Sequence, residues 1–403
     1  MLALRRSVLA FFAVLSAGMS SAVAQQNLNT LEPGASPVEL VRTLQILQDQ
    51  IASGSTNAHV AQRALLTRID EKLTSMDPSV WREPKNTRAA VTYVLSGGRP
   101  DVLKKILPIE GREPRDDALV KGALAYVEGR EEEAQKILGD IDPNTLPPTI
   151  SGQVALVQAA LHVRDDPSKS IILLDFARLQ LPGTLVEEAA LRREIFVVSQ
   201  AGDTKKFDFL SRQYLRRFRY SVYAGNFRQR FAAALMRLEF TRDPGFFSRL
   251  VAMLSELEPA GQLELYLLVA RAAVSQGQTQ AAILASDKAA ELSSRDKLSA
   301  NRAQLYRAAA LIVTRQGFEE AARQLGSVDR SILEATDMAL LDSALSMATY
   351  IRKSPGEAVA AAANTLPSLP PKDVDSPAQA PTPTISRAQE VLGQIDKLVR
   401  KGN

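Results

Sequence analysis

The sequence predicts an all-α protein, arranged as a right-handed α-solenoid of short helix pairs, and three observations carry that expectation. Ala, Leu, Arg, Gln and Glu dominate the 403 residues, aromatic residues make up 5% of them, and alternating Val/Ile/Thr runs are rare. That is a helical composition. Tyr266, Ala270, Gly277 and Ala282 recur forty residues later as Tyr306, Ala310, Gly317 and Ala322, with Val269 and Ala273 answering to Ala309 and Val313. A fixed period of this length marks stacked supersecondary units. Finally, apolar positions at helical spacing, interrupted by Gly and Pro, run through the whole body of the chain.

Residues 1–24 read as an export signal: Arg5 and Arg6, an apolar run from Ser7 to Gly18, and the small-residue site Ala22-Val23-Ala24. The run is shorter than the ~20 apolar residues of a membrane span, and an uncleaved anchor is the alternative. Either way the rest of the chain is expected outside the cytoplasm, and the periplasm fits best. No later segment reaches membrane-spanning length without a charge. There is no cysteine, so a core of this size has to hold without disulfides. Without Arg5 and Arg6, 47 of the 49 basic residues remain against 45 acidic ones, a formal charge of +2. Such a balance argues against nucleic acid as a general partner.

Residues 25–37 form a lead-in without apolar periodicity, and the helical repeat domain is expected over 38–366. Ser36 and Pro37 suit a helix start. Val38, Val41, Leu44, Ile46, Leu47 and Ile51 then keep one face until Gly54. A second helix is expected from Asn57 to Met76, a connecting segment around Trp81, and a third helix from Arg88 to Leu95 before Gly97-Gly98. Further helices follow over Asp101 to Leu107, Asp116 to Glu128 and Glu131 to Leu138. The last two fit a degenerate tetratricopeptide-like (TPR-like) pattern through Gly122, Ala125, Gly129, Ala134 and Leu138. The unit at Tyr266 matches better, adding Ala289, and the one at Tyr306 over its first two-thirds. Gln153 to Gln180 and Val186 to Phe218 fit only as helix pairs. An irregular helical bundle is the alternative to stacking. Six prolines between Pro367 and Pro383 make 367–384 an extended spacer. A short amphipathic helix over 385–403 follows, carrying Ile385, Val391, Leu392, Ile395, Leu398 and Val399, and it has to dock in cis or in trans.

The chemistry-bearing residues are few. His59 and His162 lack a second histidine at i+3 or i+4, so neither suggests a metal site. Ser294 to Lys297 forms Ser-x-x-Lys, but the Ser-Asp-Asn and Lys-Thr-Gly elements that accompany it in penicillin-binding enzymes are missing. Gly97-Gly98 lacks the residues of a phosphate loop. Asp116-Asp117 and Glu131-Glu132-Glu133 suit solvated helix starts. No catalytic residue, cofactor or metal is therefore assigned. One cluster rises above background: between Lys205 and Phe231, eight basic residues and eight aromatic ones interleave. Arg212, Arg216 and Arg219 are expected on one helix face, with Phe207, Leu210 and Tyr214 on an inward one. Arg212, Tyr214, Arg216, Arg217, Arg219, Tyr223, Arg228 and Arg230 form the candidate protein-binding or anionic-surface patch. A solvated face of snorkelling arginines is the alternative.

The strings SPVELVRTLQILQDQI and NAHVAQRALLTRI between Ser36 and Ile69, WREPKNTRAAVTYVLSGGRP at Trp81 to Pro100, LPGTLVEEAALRRE at Leu181 to Glu194 and YLRRFRYSVYAGNFRQRF at Tyr214 to Phe231 resemble the MotC family of periplasmic motility proteins. With the signal and the Pro-rich end, the likeness covers most of the chain. It implies a non-enzymatic accessory of the flagellar motor, acting with the periplasmic part of the stator protein MotB and with other motor components. It assigns no contact residues. The competing expectations are a periplasmic protein that binds or cleaves peptidoglycan, and a general envelope assembly scaffold.

Overall fold

The computed structural model describes residues 34–238 and 244–353. They form seventeen α-helices and three short 3-10 turns, with no strand among them. The all-α expectation therefore holds. The expected export signal, the lead-in up to residue 33, the expected end of the repeat domain from 354, the Pro-rich segment and the expected C-terminal helix lie outside the described residues. The chain divides into two units after Ala348, and the second is described only over residues 349–353.

Helix α1 (Pro37–Ala52) starts as the sequence predicts. Ser36 accepts from the Glu39 N–H, and the Glu39 carboxylate accepts from the Ser36 N–H at 2.7 Å, a reciprocal cap worth about 1 kcal/mol. Its buried stripe runs through Leu40, Val41, Leu44, Leu47 and Ile51, whereas Val38 and Ile46 are exposed. Leu40 thus replaces two of the expected positions. Helix α2 (Thr56–Ser75) packs back along α1. The segment around Trp81 is not a loose connection. A 3-10 turn over Pro78–Arg82 buries Trp81 against α3 (Pro84–Leu95), and the Thr87 hydroxyl donates to the Trp81 carbonyl at 2.7 Å. Pro84 takes the first turn of α3, so that helix starts ahead of the expected Arg88.

After α4 (Asp101–Ile106), the three recognisable repeats all fold as helix hairpins: α5 (Pro114–Val127) with α6 (Glu131–Gly139), α13 (Pro259–Ser275) with α14 (Thr279–Leu292), and α15 (Lys297–Leu311) with α16 (Phe318–Gly326). In the first hairpin a Cβ on Gly122 would stand 2.5 Å from the Leu138 side chain, so the helices approach to a distance that only glycine allows. Tyr266, Ala270, Ala282, Tyr306 and Ala310 are all buried. The echo fails at Val313, which is 58% exposed. Helix α15 ends at Leu311, about one turn before the position that matches the end of α13, and this releases Val313 to solvent.

The remaining helices are α7 (Pro148–His162), α8 (Pro167–Gln180), α9 (Leu185–Ala201), α10 (Thr204–Arg217), α11 (Ala224–Arg237), α12 (Pro244–Leu254) and α17 (Ala335–Arg352). From α13 to α16 each helix packs on the next in the chain. The first half adds a closure: α1 packs on α3, α3 on α7, α7 on α9, and α9 back on α1. The Leu185 N–H at the start of α9 donates to Asp49 at 3.0 Å, and the Val222 N–H donates to the Ile51 carbonyl at 3.3 Å. One apolar core runs through α1 to α7, and a larger one through α9 to α17.

One charge assignment is corrected. Asp116 is not a solvated helix start but is 1% exposed, and both its oxygens take the Arg88 guanidinium of α3, at 2.7 and 3.3 Å. The pairing is what lets a carboxylate enter the core. Glu131, Glu132 and Glu133 are exposed in the first turn of α6, as expected.

Candidate functional site

The basic and aromatic cluster occupies α10, the turn after it and α11. Asp203 caps α10 by accepting from the Lys206 N–H at 2.9 Å. Phe207, Leu210 and Tyr214 point inward and are fully buried, as their spacing requires. Helix α10 stops at Arg217. Phe218 turns inward onto Tyr214, with ring centroids 5.9 Å apart, so Arg219 sits in the turn and not on the helix face shared by Arg212 and Arg216.

The aromatic residues divide between core and surface. Tyr214 and Phe227 stack with centroids 3.8 Å apart, Phe227 meets Phe231 at 5.4 Å, and Phe231 meets Phe207 at 5.6 Å. This spine joins α10 to α11. Tyr214 is therefore corrected from a surface candidate to a core residue, and its hydroxyl donates to Glu188 Oε1 at 2.8 Å. Burial foremost, and then the Glu188 charge, pushes its pKa far above the ordinary tyrosine value. Phe209 and Tyr220 are exposed, and Tyr223 is half-buried beside His59 and beneath the Arg192 guanidinium.

The arginines are placed by carboxylates. Arg216 makes a two-point contact with Glu256, at 2.6 and 3.1 Å, and Arg212 pairs with Asp208 at 2.9 Å. Arg217 reaches Glu187 at 2.7 Å, Arg228 reaches Glu264 at 2.8 Å, and Arg219 lies 3.8 Å from Glu258. Arg230 is exposed and lies over the Phe196 ring at 5.6 Å. Hydrogen bonding to Arg216 holds the Glu256 carboxyl below its usual range. The patch is a corner of interlocked ion pairs with a modest excess of positive charge.

Sequence reasoning missed what faces it from α9. Glu187, Glu188 and Glu194 are all buried there, and α10 supplies their partners: Arg217 and Gln213 to Glu187, Tyr214 to Glu188, and Lys206 to Glu194. Glu187 also folds back to accept from the Gly183 N–H at 2.5 Å. The available signal was the Thr184-x-x-Glu187 pattern of a helix start, in which Thr184 accepts from the Glu187 N–H. Nothing in the local spacing marks Glu188 or Glu194 as buried.

Glu194 lies 2.9 Å from Lys206 Nζ and 3.3 Å from Arg178 Nε, and both cations also pair with Asp175. Burial therefore outweighs them and pushes its carboxyl up to about 7. The folded state holds this proton more tightly than the unfolded chain. Stability from Glu194 is thus full below the unfolded value of 4.5 and is lost as pH rises through about 7. The Glu194→Gln variant is expected to gain ~3 kcal/mol on the wild type between acidic and mildly alkaline pH. Urea midpoints of the two proteins at each pH check this, and a constant difference would contradict it.

A cavity of about 190 Å³ opens where the turn after α10 meets the start of α13, with Tyr214, Phe227 and Leu265 among its lining residues. Among the described residues no group of three or more His, Asp or Glu side chains could hold a metal ion. No helix among them is long and apolar enough to cross a membrane.

Fold and site together define an all-helical protein of helix hairpins whose clustered ionisable groups are engaged with one another. The family model described as chemotaxis protein MotC matches residues 1–403. The chain is also 32% identical over 355 residues to the chemotaxis protein MotC of Rhizobium meliloti (strain 1021), an alignment covering 87% of this chain and 76% of that one. It belongs to the MotC family, an accessory family of motility and chemotaxis.

Proposed function

We propose that this chain is a non-enzymatic periplasmic accessory of the flagellar motor, which binds and positions the periplasmic part of the stator protein MotB. Membership of the MotC family is the observation that carries the reading. Supporting it are the signal-like sequence pattern of residues 1–24 and the hairpins of small, closely packed residues. We take the hairpins as units of a right-handed TPR-like solenoid, a class of fold that binds proteins through its faces. On the same reading, the Pro-rich sequence of 367–384 serves as a spacer that gives the amphipathic pattern of 385–403 reach.

Deleting the gene is expected to leave flagella in place and abolish swimming, and the mature protein is expected to co-purify with the periplasmic region of MotB. Failure to bind across a range of salt concentrations would remove MotB as the partner. For the contact surface we propose the exposed arginines of the α10 corner. Arg216→Glu with Arg219→Glu is expected to weaken MotB capture at little cost in stability, since Arg216 is exposed and Arg219 partly so. Unchanged capture by a stably folded double variant would place the contact elsewhere.

A further inference from the structure

We infer that the cavity at the α10 corner is an anchor pocket, which receives one large apolar side chain from an acidic segment of a partner protein. The inference rests on the proposed role as a protein-binding accessory and specifies the chemistry of the contact. At about 190 Å³ the cavity is smaller than the ~300 Å³ at which pockets for small molecules and cofactors begin. It has room for one side chain. Its lining includes the buried Tyr214 and Phe227 rings and Leu265, so the group it accepts is apolar. Tyr220 lines it too and is 60% exposed, with the Arg219 guanidinium over its ring at 4.9 Å. An exposed tyrosine clasped by arginine beside a desolvated pocket has the composition of a binding hot spot.

The acidic character follows from the charges around that pocket. Arg219 and Arg228 line it together with Glu258 and Glu264, and the Nε of each arginine is shut off from water without a well-aligned acceptor. The Glu258 oxygen is too far from Arg219, at 3.8 Å, and the Glu264 oxygen 2.8 Å from Arg228 lies off the line of its N–H. On the neighbouring turns of α10 and α11, Arg212, Arg216 and Arg217 are matched by Asp208, Glu256 and Glu187, and Arg230 over the Phe196 ring is the excess positive charge. Positive charge is in modest excess, and a carboxylate next to the inserted side chain complements it.

The test uses the mature full-length protein and labelled synthetic peptides that differ at one feature: Phe between aspartates, Ser between aspartates, or Phe between lysines. Fluorescence anisotropy is expected to show the Asp-flanked Phe peptide binding about tenfold tighter than either control. Ala224→Phe, which fills the cavity from a buried lining position, and Arg219→Glu should each abolish that preference. Equal binding of all three peptides, or an unchanged preference in both variants, would overturn the pocket. If Ala224→Phe does not fold, Arg219→Glu and Tyr220→Ser, on partly or largely exposed residues, carry the same test. Capture of the MotB periplasmic region separates the two readings. Undiminished capture by folded pocket variants rejects the pocket and keeps the partner, whereas peptide binding without MotB capture keeps the pocket and rejects the partner.

Discussion

Replacing Gly54 by alanine is expected to destabilise the protein by about 3 kcal/mol or more, because two separate costs fall on one residue. The backbone at Gly54 has φ +106°, well outside the regions open to residues with a Cβ. An added Cβ would also stand 2.6 Å from the Tyr220 carbonyl oxygen and 3.1 Å from the Tyr220 Cβ. Backbone cannot rotate out of the way as a side-chain tip can, so the turn after α10 must shift. That turn carries the Val222 N–H, which bonds to the Ile51 carbonyl at 3.3 Å, and it carries Tyr220 at the cavity. Gly129→Ala is the control: its φ is +75°, nothing lies within 4 Å of the added Cβ, and only the conformational cost of about 1 kcal/mol remains. Denaturant midpoints of the two variants separate the costs, and equal losses would show that the contact with Tyr220 contributes nothing. A folded Gly54→Ala protein is also expected to lose the peptide preference of the pocket, which sits more than 160 residues away in sequence and directly across this contact.

Gly54 also shows what the sequence could and could not reveal. As a helix terminator it was legible from the apolar run before it, but that it meets Tyr220 was not, since no local pattern records a contact over such a separation. The same division holds throughout. Hairpins appear where Gly122, Ala125, Gly129, Ala134 and Leu138 predict one, because closing a helix pair depends on small residues near each other in the chain. The closure of α9 onto α1 had no such signature. At the candidate site, the spacing of Phe207, Leu210 and Tyr214 gave the inward face of α10 correctly. The basic residues on the same helix read as a surface for something external, yet Lys206, Arg217 and Tyr214 largely answer the buried carboxylates of α9. Local periodicity reports which side of a helix is apolar. It does not report whether a charge on the other side meets water or a carboxylate brought in by another helix.

That ambiguity is resolved most sharply at Glu188. Glu188→Ala is expected to cost 3–5 kcal/mol, the range for removing one member of a buried charged network. The loss arises from what stays behind. The Tyr214 hydroxyl, fully buried, keeps a donor with no acceptor, and Arg192 loses the carboxylate it holds at 3.0 and 3.3 Å. Tyr214→Phe removes the hydroxyl instead and leaves Glu188 with Arg192, so its cost should be nearer 1 kcal/mol. The double variant should then be less destabilised than the two losses added together, because it leaves no orphaned hydroxyl. Strict additivity would mean that the 2.8 Å hydrogen bond carries no coupling. The outcome also governs how swimming defects are read. A Glu188 variant that cannot swim has lost the alignment of α9 with α10, and its midpoint will show it. An Arg216 or Arg219 variant that cannot swim with an unchanged midpoint has lost a contact outside the fold. The two helices carry opposite charges in one interface, so stability has to be measured before any residue of the cluster is assigned to partner binding.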